Sequence, residues 1–159
     1  AVLATGRFRL GGVLLIASSA FDALDGSLAR FSQRVSRFGA FLDSVLDRWS
    51  DSAYFIGLLI WYSRMGMPMQ EALCAVSLAS SLLVSYTRAR AEGVGAQCKG
   101  GWFTRLERLG TLLAGLVLDR MTIALWIVAI LSTVTALQRI YYTWRYLQMN
   151  PECGEVYRK

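Results

Sequence analysis

Apolar segments separated by short polar turns recur along this chain. They lie at about residues 10–24, 38–61, 67–87, 109–118 and 121–137, and several approach the roughly 20 residues that a helix needs to cross a bilayer. We therefore predict an all-α, polytopic membrane helix bundle with five complete crossings. The chain opens on AVLATGRFRLGG, without Met, which is typical of a helix end and its outer turn. We expect a sixth, N-terminal crossing that is missing or truncated.

Composition supports a single membrane domain. Hydrophobic residues make up 55% of the chain, with only two prolines, which is more apolar than a soluble domain of this size. We assign residues 1–149 to the transmembrane domain and residues 150–159 to a short cytoplasmic tail. The three cysteines are widely separated and no histidine is present, so neither a disulfide framework nor a zinc site is predicted.

The charge distribution predicts orientation and partners. Most of the 17 basic residues fall in turns on one side of the predicted crossings, which is the cytoplasmic side by the positive-inside tendency. The net charge of +6 is concentrated beside membrane segments, so the lipid bilayer or a phosphorylated substrate is the expected partner rather than nucleic acid. We predict a multi-pass protein of the cell (inner or plasma) membrane whose active site faces the cytoplasm.

Four aspartates interrupt the apolar pattern within DALDGSLARFSQRVSRFGAFLDSVLD. One pair has i, i+3 spacing and the other i, i+4 spacing, so each pair shares a helix face, and a short turn brings the two helices together. Converging carboxylates repel one another unless cations neutralise them, and an all-oxygen set suits Mg²⁺, Mn²⁺ or Ca²⁺. The predicted metal ligands are Asp22, Asp25, Asp43 and Asp47. Asp51 continues this face but is expected to be paired or to support the site from behind.

Small residues and hydrogen-bond donors surround these aspartates. Gly26, Ala29 and Gly39 leave space for a ligand to approach the backbone. Arg30 and Ser36 are placed to donate hydrogen bonds to phosphate or nucleotide oxygens. Two hard cations, donors and small residues together suit a diphosphate.

The same stretch resembles the signature of the CDP-alcohol phosphotransferase family at every fixed position. The resemblance implies an integral-membrane transferase of phospholipid biosynthesis that moves a phosphatidyl-type group from a CDP-linked lipid to an alcohol and releases CMP. It implies two Mg²⁺ or Mn²⁺ ions per site, Asp47 as general base, and a homodimer. It also implies a CDP-lipid site formed by Gly26, Ala29, Arg30, Ser36 and Gly39.

A second stretch, SYTRARAEGVGAQCKGGWFTRLERLG, bears on the acceptor. Its RAEGxG segment and the later RxER resemble bacterial phosphatidylinositol-phosphate synthases and their archaeal ether-lipid counterparts. That resemblance implies inositol phosphate as acceptor, with its phosphate bound by Arg88, Arg105 and Arg139. The alternative for such arginines is anchoring at the membrane edge.

Two other functions remain open from the sequence. The first is the same chemistry with glycerol phosphate, serine or another alcohol as acceptor. The second is a non-enzymatic cation transporter, which would carry polar residues along a path through several helices, whereas the outer halves of these segments are nearly bare of them. The native metal and the ester or ether linkage of the lipid are not specified by these patterns.

Overall fold

The computed structural model describes residues 3–6, 11–12, 36–96 and 101–150, and helices dominate this part of the chain. In the described part of the chain, four α-helices follow a 3-10 turn at Leu3–Thr5. They are α1 (Arg37–Arg64), α2 (Pro68–Gly93), α3 (Arg105–Val117) and α4 (Met121–Met149). The predicted all-α class is confirmed for these residues.

Local chemistry determines where the helices begin and end. Ser36 caps the start of α1. Pro68 lies in the first turn of α2, where the missing N–H removes no hydrogen bond within the helix. Thr104 forms a reciprocal capping box with Glu107 at the start of α3. A left-handed residue, Asp119 (φ 54°), lies in the tight turn between α3 and α4. These short connections make α1 and α2, and then α3 and α4, adjacent pairs.

α2 lies at the centre of the described bundle, where it packs against both α1 and α4, and α3 packs against α4. The α2–α4 contact contains small polar side chains, such as Ser77 and Ser132, that are fully buried. The Ser77 hydroxyl donates a hydrogen bond to the Leu125 carbonyl across the two helices at 3.2 Å. Small residues of this kind let helices approach closely where lipid rather than water surrounds them.

The prediction of five complete crossings and a truncated sixth is wrong. Within the described part of the chain, α2 and α4 are the two helices long and apolar enough to cross a membrane. Asp43, Asp47, Arg48 and Asp51 lie in the N-terminal part of α1, so the uninterrupted apolar part of this helix is too short to cross. α3 has 13 residues, about 20 Å of helix against a hydrocarbon core of about 30 Å. The segment predicted at residues 10–24 lies outside the described residues, apart from residues 11 and 12.

Gly115 tests the packing between α3 and α4. A Cβ at this position would lie 2.5 Å from the Cβ of Ala124, which cannot move without its backbone. We expect Gly115→Ala to destabilise the protein by about 1–3 kcal/mol through overpacking, measured by thermal unfolding of the full chain in detergent. Gly110→Ala in the same helix is the control, because a Cβ there meets nothing within 4 Å and Ala favours helix by about 1 kcal/mol. Equal unfolding midpoints for the two variants would contradict the close packing.

Candidate active site

Asp43 and Asp47 lie one turn apart near the start of α1, so the structure places half of the predicted metal set on one helix face. Asp43 is exposed and Asp47 is half-buried. The described residues contain no group of three acidic, histidine or cysteine side chains that could hold a metal ion. The remaining predicted residues of this region lie outside the described residues; they are Asp22, Asp25, Gly26, Ala29 and Arg30.

Ser36 and Gly39, predicted to bind the CDP-lipid, form the N-terminal cap of α1. The Ser36 Oγ accepts a hydrogen bond from the Gly39 N–H at 2.9 Å. A Cβ at Gly39 would lie 3.0 Å from that Oγ, so glycine also keeps space for the cap. The cap lies one turn before Asp43, and the predicted contact with CDP stays a prediction.

Asp47 pairs with arginines on two helices. Its Oδ1 lies 2.6 Å from Nη1 of Arg105 at the start of α3, and its Oδ2 lies 3.6 Å from Nη2 of Arg48. Burial raises the pKa of the Asp47 carboxyl, an effect that the charge of Arg105 opposes. The Arg105 pair therefore helps to keep a partly desolvated carboxylate ionised.

Asp51, one turn further along α1, binds the same arginine from the other side. Its Oδ1 accepts a hydrogen bond from Nε of Arg105 at 3.3 Å, and its Oδ2 lies 3.7 Å from Nη2 of Arg108. Asp51 is 6% exposed, so this carboxylate is buried between α1 and α3. The expectation that Asp51 is paired agrees with these contacts.

Arg108 is an almost fully buried cation. It is 3% exposed, and burial lowers the pKa of its guanidinium while Asp51 opposes that shift. An arginine stays charged at neutral pH even so. The Arg108 Nη1 has no hydrogen-bond partner among the described residues, which leaves one of its donors unsatisfied.

These arginines line a cavity of about 330 Å³ between α1, α2, α3 and α4, a volume within the usual range of small-molecule sites. All three arginines predicted to bind the acceptor phosphate contribute to its wall. Its lining residues include Ser44, Arg48, Ser85, Arg88, Glu92, Thr104, Arg105, Arg108 and Arg139. Five guanidinium groups and one carboxylate make this wall strongly cationic, which suits a multiply charged anion.

Arg139 enters the cavity wall from α4. It is 6% exposed, and its Nη1 donates a hydrogen bond to the Val84 carbonyl of α2 at 2.6 Å. Gly101 lies against the guanidinium, because a Cβ there would come within 2.8 Å of the Arg139 Nε. The loop before α3 thus leaves the space that the Arg139 head group occupies.

Arg88 contributes from the end of α2 and is more exposed than the others. Its Nε donates a hydrogen bond to Oε1 of Glu92 at 2.9 Å, one helical turn away. Exposed ion pairs of this kind contribute little free energy. An anion can therefore compete with Glu92 for the Arg88 guanidinium. Arg88 is therefore the most accessible of the three predicted cations.

Arg48 and Arg108 were not predicted as site residues, although both line the cavity. Arg108 stands at i+3 from Arg105 in the sequence, so the two arginines share a face of α3, and that spacing could have identified it. Arg48 directly follows Asp47, but its direction relative to α2 and α3 depends on tertiary packing. No pattern in the sequence indicates that the Arg48 side chain faces the cavity.

Residues 1–147 match the sequence model of a family described as CDP-alcohol phosphatidyltransferase. Phosphatidylinositol phosphate synthase of Streptomyces avermitilis is 42% identical over 151 residues, covering 85% of this chain and 61% of that protein. Archaetidylinositol phosphate synthase of Methanothermobacter thermautotrophicus is 38% identical over 151 residues, 91% of this chain and 75% of that protein. The chain therefore spans less than two thirds of the Streptomyces relative.

Solved structures of one Mycobacterium tuberculosis protein are similar over most of the chain. Phosphatidylinositol phosphate synthase with CDP-DAG bound has a TM-score of 0.84 and 34% identity, covering 91% of this chain and 77% of that one. The same protein in complex with manganese and citrate has a TM-score of 0.85 and 32% identity, covering 91% and 74%. The predicted family resemblance is confirmed, and so is the predicted use of a divalent metal, at the level of the family.

Gly101→Ala tests whether the arginine cavity binds anions. The added Cβ meets the Nε of Arg139, and Gly101 has φ +143°, which L residues rarely adopt, so we expect the loop backbone and the guanidinium to shift together. Loss of one charged hydrogen bond should weaken binding of inorganic phosphate about tenfold, measured by calorimetry on the full chain. Gly95→Ala is the control, since Gly95 also has positive φ (+78°) but open space around its Cβ position. Equal phosphate affinities in the two variants would show that Arg139 takes no part.

Proposed function

Because the chain belongs to the CDP-alcohol phosphatidyltransferase family and is thus a phosphotransferase, we propose that it transfers a phosphatidyl-type group from a CDP-linked lipid to inositol phosphate, with release of CMP. The observation that carries this proposal is the arginine-lined cavity, whose Arg105 also contacts Asp47. A phosphate bound in the cavity would hold its alcohol hydroxyl near the carboxylate that the family resemblance implies as base.

The cationic wall favours a phosphorylated acceptor over a neutral alcohol. Five arginines and one carboxylate, Glu92, line the cavity, and serine or free inositol would supply no dianion to balance that excess of positive charge. Guanidinium groups match phosphate oxygens through paired N–H donors. The similarity to phosphatidylinositol phosphate and archaetidylinositol phosphate synthases supports inositol phosphate as that acceptor.

The aspartates fit hard divalent cations by the chemistry of their donors. Asp43 and Asp47 present carboxylate oxygens on one face of α1, and we propose that Asp22 and Asp25 complete a site for two ions. When bound, such ions neutralise diphosphate charge and the charge that develops on CMP. Asp47 is proposed to accept the proton of the acceptor hydroxyl at a carboxylate oxygen.

The donor is proposed to lie beside Arg48. An apolar cavity of about 560 Å³, lined mainly by Trp49, Ile56 and Ile60 of α1 with Leu82 of α2, has Arg48 in its wall, and Arg48 also lines the cationic cavity. An apolar space next to a cation suits a lipid chain joined to a charged head group. The proposed contacts to CDP are Gly26, Ala29, Arg30, Ser36 and Gly39.

We further propose that α2 and α4 cross the cell membrane and that the site faces the cytoplasm. Arg88 lies near the end of α2 and Arg105 opens α3, so these cations gather at one end of the bundle, as the positive-inside tendency requires of a cytoplasmic end. Outward side chains of α4, including Ile123, Ile130 and Val134, are exposed and apolar, which suits contact with lipid. A homodimer is proposed from the family resemblance alone.

Arg88→Gln tests the acceptor assignment most cleanly, because Arg105 also pairs with Asp47 and its loss would disturb the metal site. We expect the KM for inositol phosphate to rise about tenfold through loss of a charged hydrogen bond, with the KM for the CDP-lipid nearly unchanged. CMP release in lipid nanodiscs measures both. Arg90→Gln is the control, because Arg90 lies two residues after Arg88 and therefore on a different face of α2. An unaltered acceptor KM in Arg88→Gln would mean that this arginine only anchors the membrane edge.

Asp43→Asn tests the metal assignment. Asp43 is exposed, so we expect the variant to fold and to lose CMP release, and we expect a chelator to abolish native activity until Mg²⁺ or Mn²⁺ is restored. Asp119→Asn serves as the matched control, because Asn tolerates the left-handed backbone found there. Native turnover in Asp43→Asn, or resistance to the chelator, would refute the metal role.

A further inference from the structure

We propose that Asp51 is a positioning residue for the acceptor phosphate, which acts by holding Arg105 and Arg108 in the wall of the cationic cavity; this rests on the proposed function. Asp51 lies outside the aspartate signature and is not itself among the residues that line that cavity. Its role would be exerted through the two arginines.

The contacts of Asp51 divide its carboxylate between two guanidinium groups. Oδ1 accepts from Nε of Arg105 at 3.3 Å, and Oδ2 lies 3.7 Å from Nη2 of Arg108. The two arginines stand at i, i+3 on α3 and carry like charges, which would otherwise drive their head groups apart. The buried carboxylate on α1 is therefore the group that holds two cations side by side.

Arg105 shows why this support affects binding. Its Nη1 lies 2.6 Å from Asp47 while its Nε is bound by Asp51, so two edges of the guanidinium are fixed by α1. A planar guanidinium that is held on two edges has little rotational freedom left. The remaining donors then keep one direction, and an anion that binds them loses less free energy to ordering.

The space beside Asp51 excludes a direct ligand role. Asp51 borders a separate cavity of about 10 Å³, which it shares with Tyr54, Phe55 and Arg108. That volume is room for at most about one water molecule. An acceptor could not reach the carboxylate there. Removal of the Asp51 charge should therefore change acceptor binding only through Arg105 and Arg108.

Asp51→Asn in the full chain, reconstituted in nanodiscs, tests the proposal. We expect the Kd for inorganic phosphate and the KM for inositol phosphate each to rise about tenfold, as for loss of a charged contact, while kcat and the KM for the CDP-lipid change less than about twofold. Asp51→Glu keeps the charge but displaces the carboxylate, so its phosphate affinity should lie measurably below that of the native protein and above that of Asp51→Asn. Asp119→Asn, the same chemical change outside the cavity, should leave all four constants native.

A purely structural role for Asp51 gives a different pattern. Partial unfolding lowers the active fraction, which reduces kcat at unchanged KM and lowers the melting temperature. If Asp51→Asn does not fold, Asp51→Glu carries the test, because its displaced carboxylate should weaken phosphate binding to a level between the native protein and Arg108→Gln. Native phosphate affinity in every folded Asp51 variant would overturn the proposal.

A double-mutant cycle identifies the route of the effect. In a protein that already carries Arg105→Gln and Arg108→Gln, the further change Asp51→Asn should alter the phosphate Kd less than about twofold. A full tenfold effect in that background would overturn action through the arginines. If native protein binds phosphate in the predicted Asp51-dependent way but does not use inositol phosphate, the proposed acceptor fails and the positioning role stands.

Discussion

Asp47 and Asp51 lie one helical turn apart on α1, and both contact the guanidinium of Arg105 at the start of α3. This three-residue contact joins the carboxylates of the candidate metal site to the arginines of the cationic cavity. Without it, the two carboxylates would repel each other one turn apart, and their remaining partners would be Arg48 at 3.6 Å from Asp47 and Arg108 at 3.7 Å from Asp51. The relative placement of the proposed base, the proposed metal ligands and the proposed anion site therefore depends on these ion pairs.

The same charges explain why the bundle departs from a simple row of membrane crossings. The N-terminal part of α1 carries Asp43, Asp47, Arg48 and Asp51, so this part belongs to the candidate site rather than to the apolar layer. α3 is short and amphipathic, with Arg108, Leu112 and Leu116 on its buried face. α2 and α4 supply the two long apolar helices, and the cations gather where α2 ends and α3 begins.

Much of the site could be predicted from local spacing. The i, i+4 aspartates on α1 were predicted from their spacing, and three of the five arginines of the cavity wall were predicted from the family resemblance. The predicted number of membrane crossings was wrong, because an apolar run in the sequence does not reveal where a helix is too short or too charged to span a membrane. The Arg105–Asp51 contact joins residues 54 positions apart, and no local pattern predicts such a pair. The burial of Arg108 and the position of Arg48 likewise depend on packing.

The most direct test of the central claim is a comparison of acceptors in a CMP-release assay with the native protein and a CDP-linked lipid. A cationic cavity that binds the acceptor phosphate predicts rapid CMP release with inositol phosphate. The same cavity predicts a much higher KM with free inositol and little CMP release with serine. Glycerol phosphate carries the same charge on a different alcohol, so it tests whether the shape of the acceptor matters. Equal rates with inositol and inositol phosphate, or preference for an uncharged alcohol, would contradict the account.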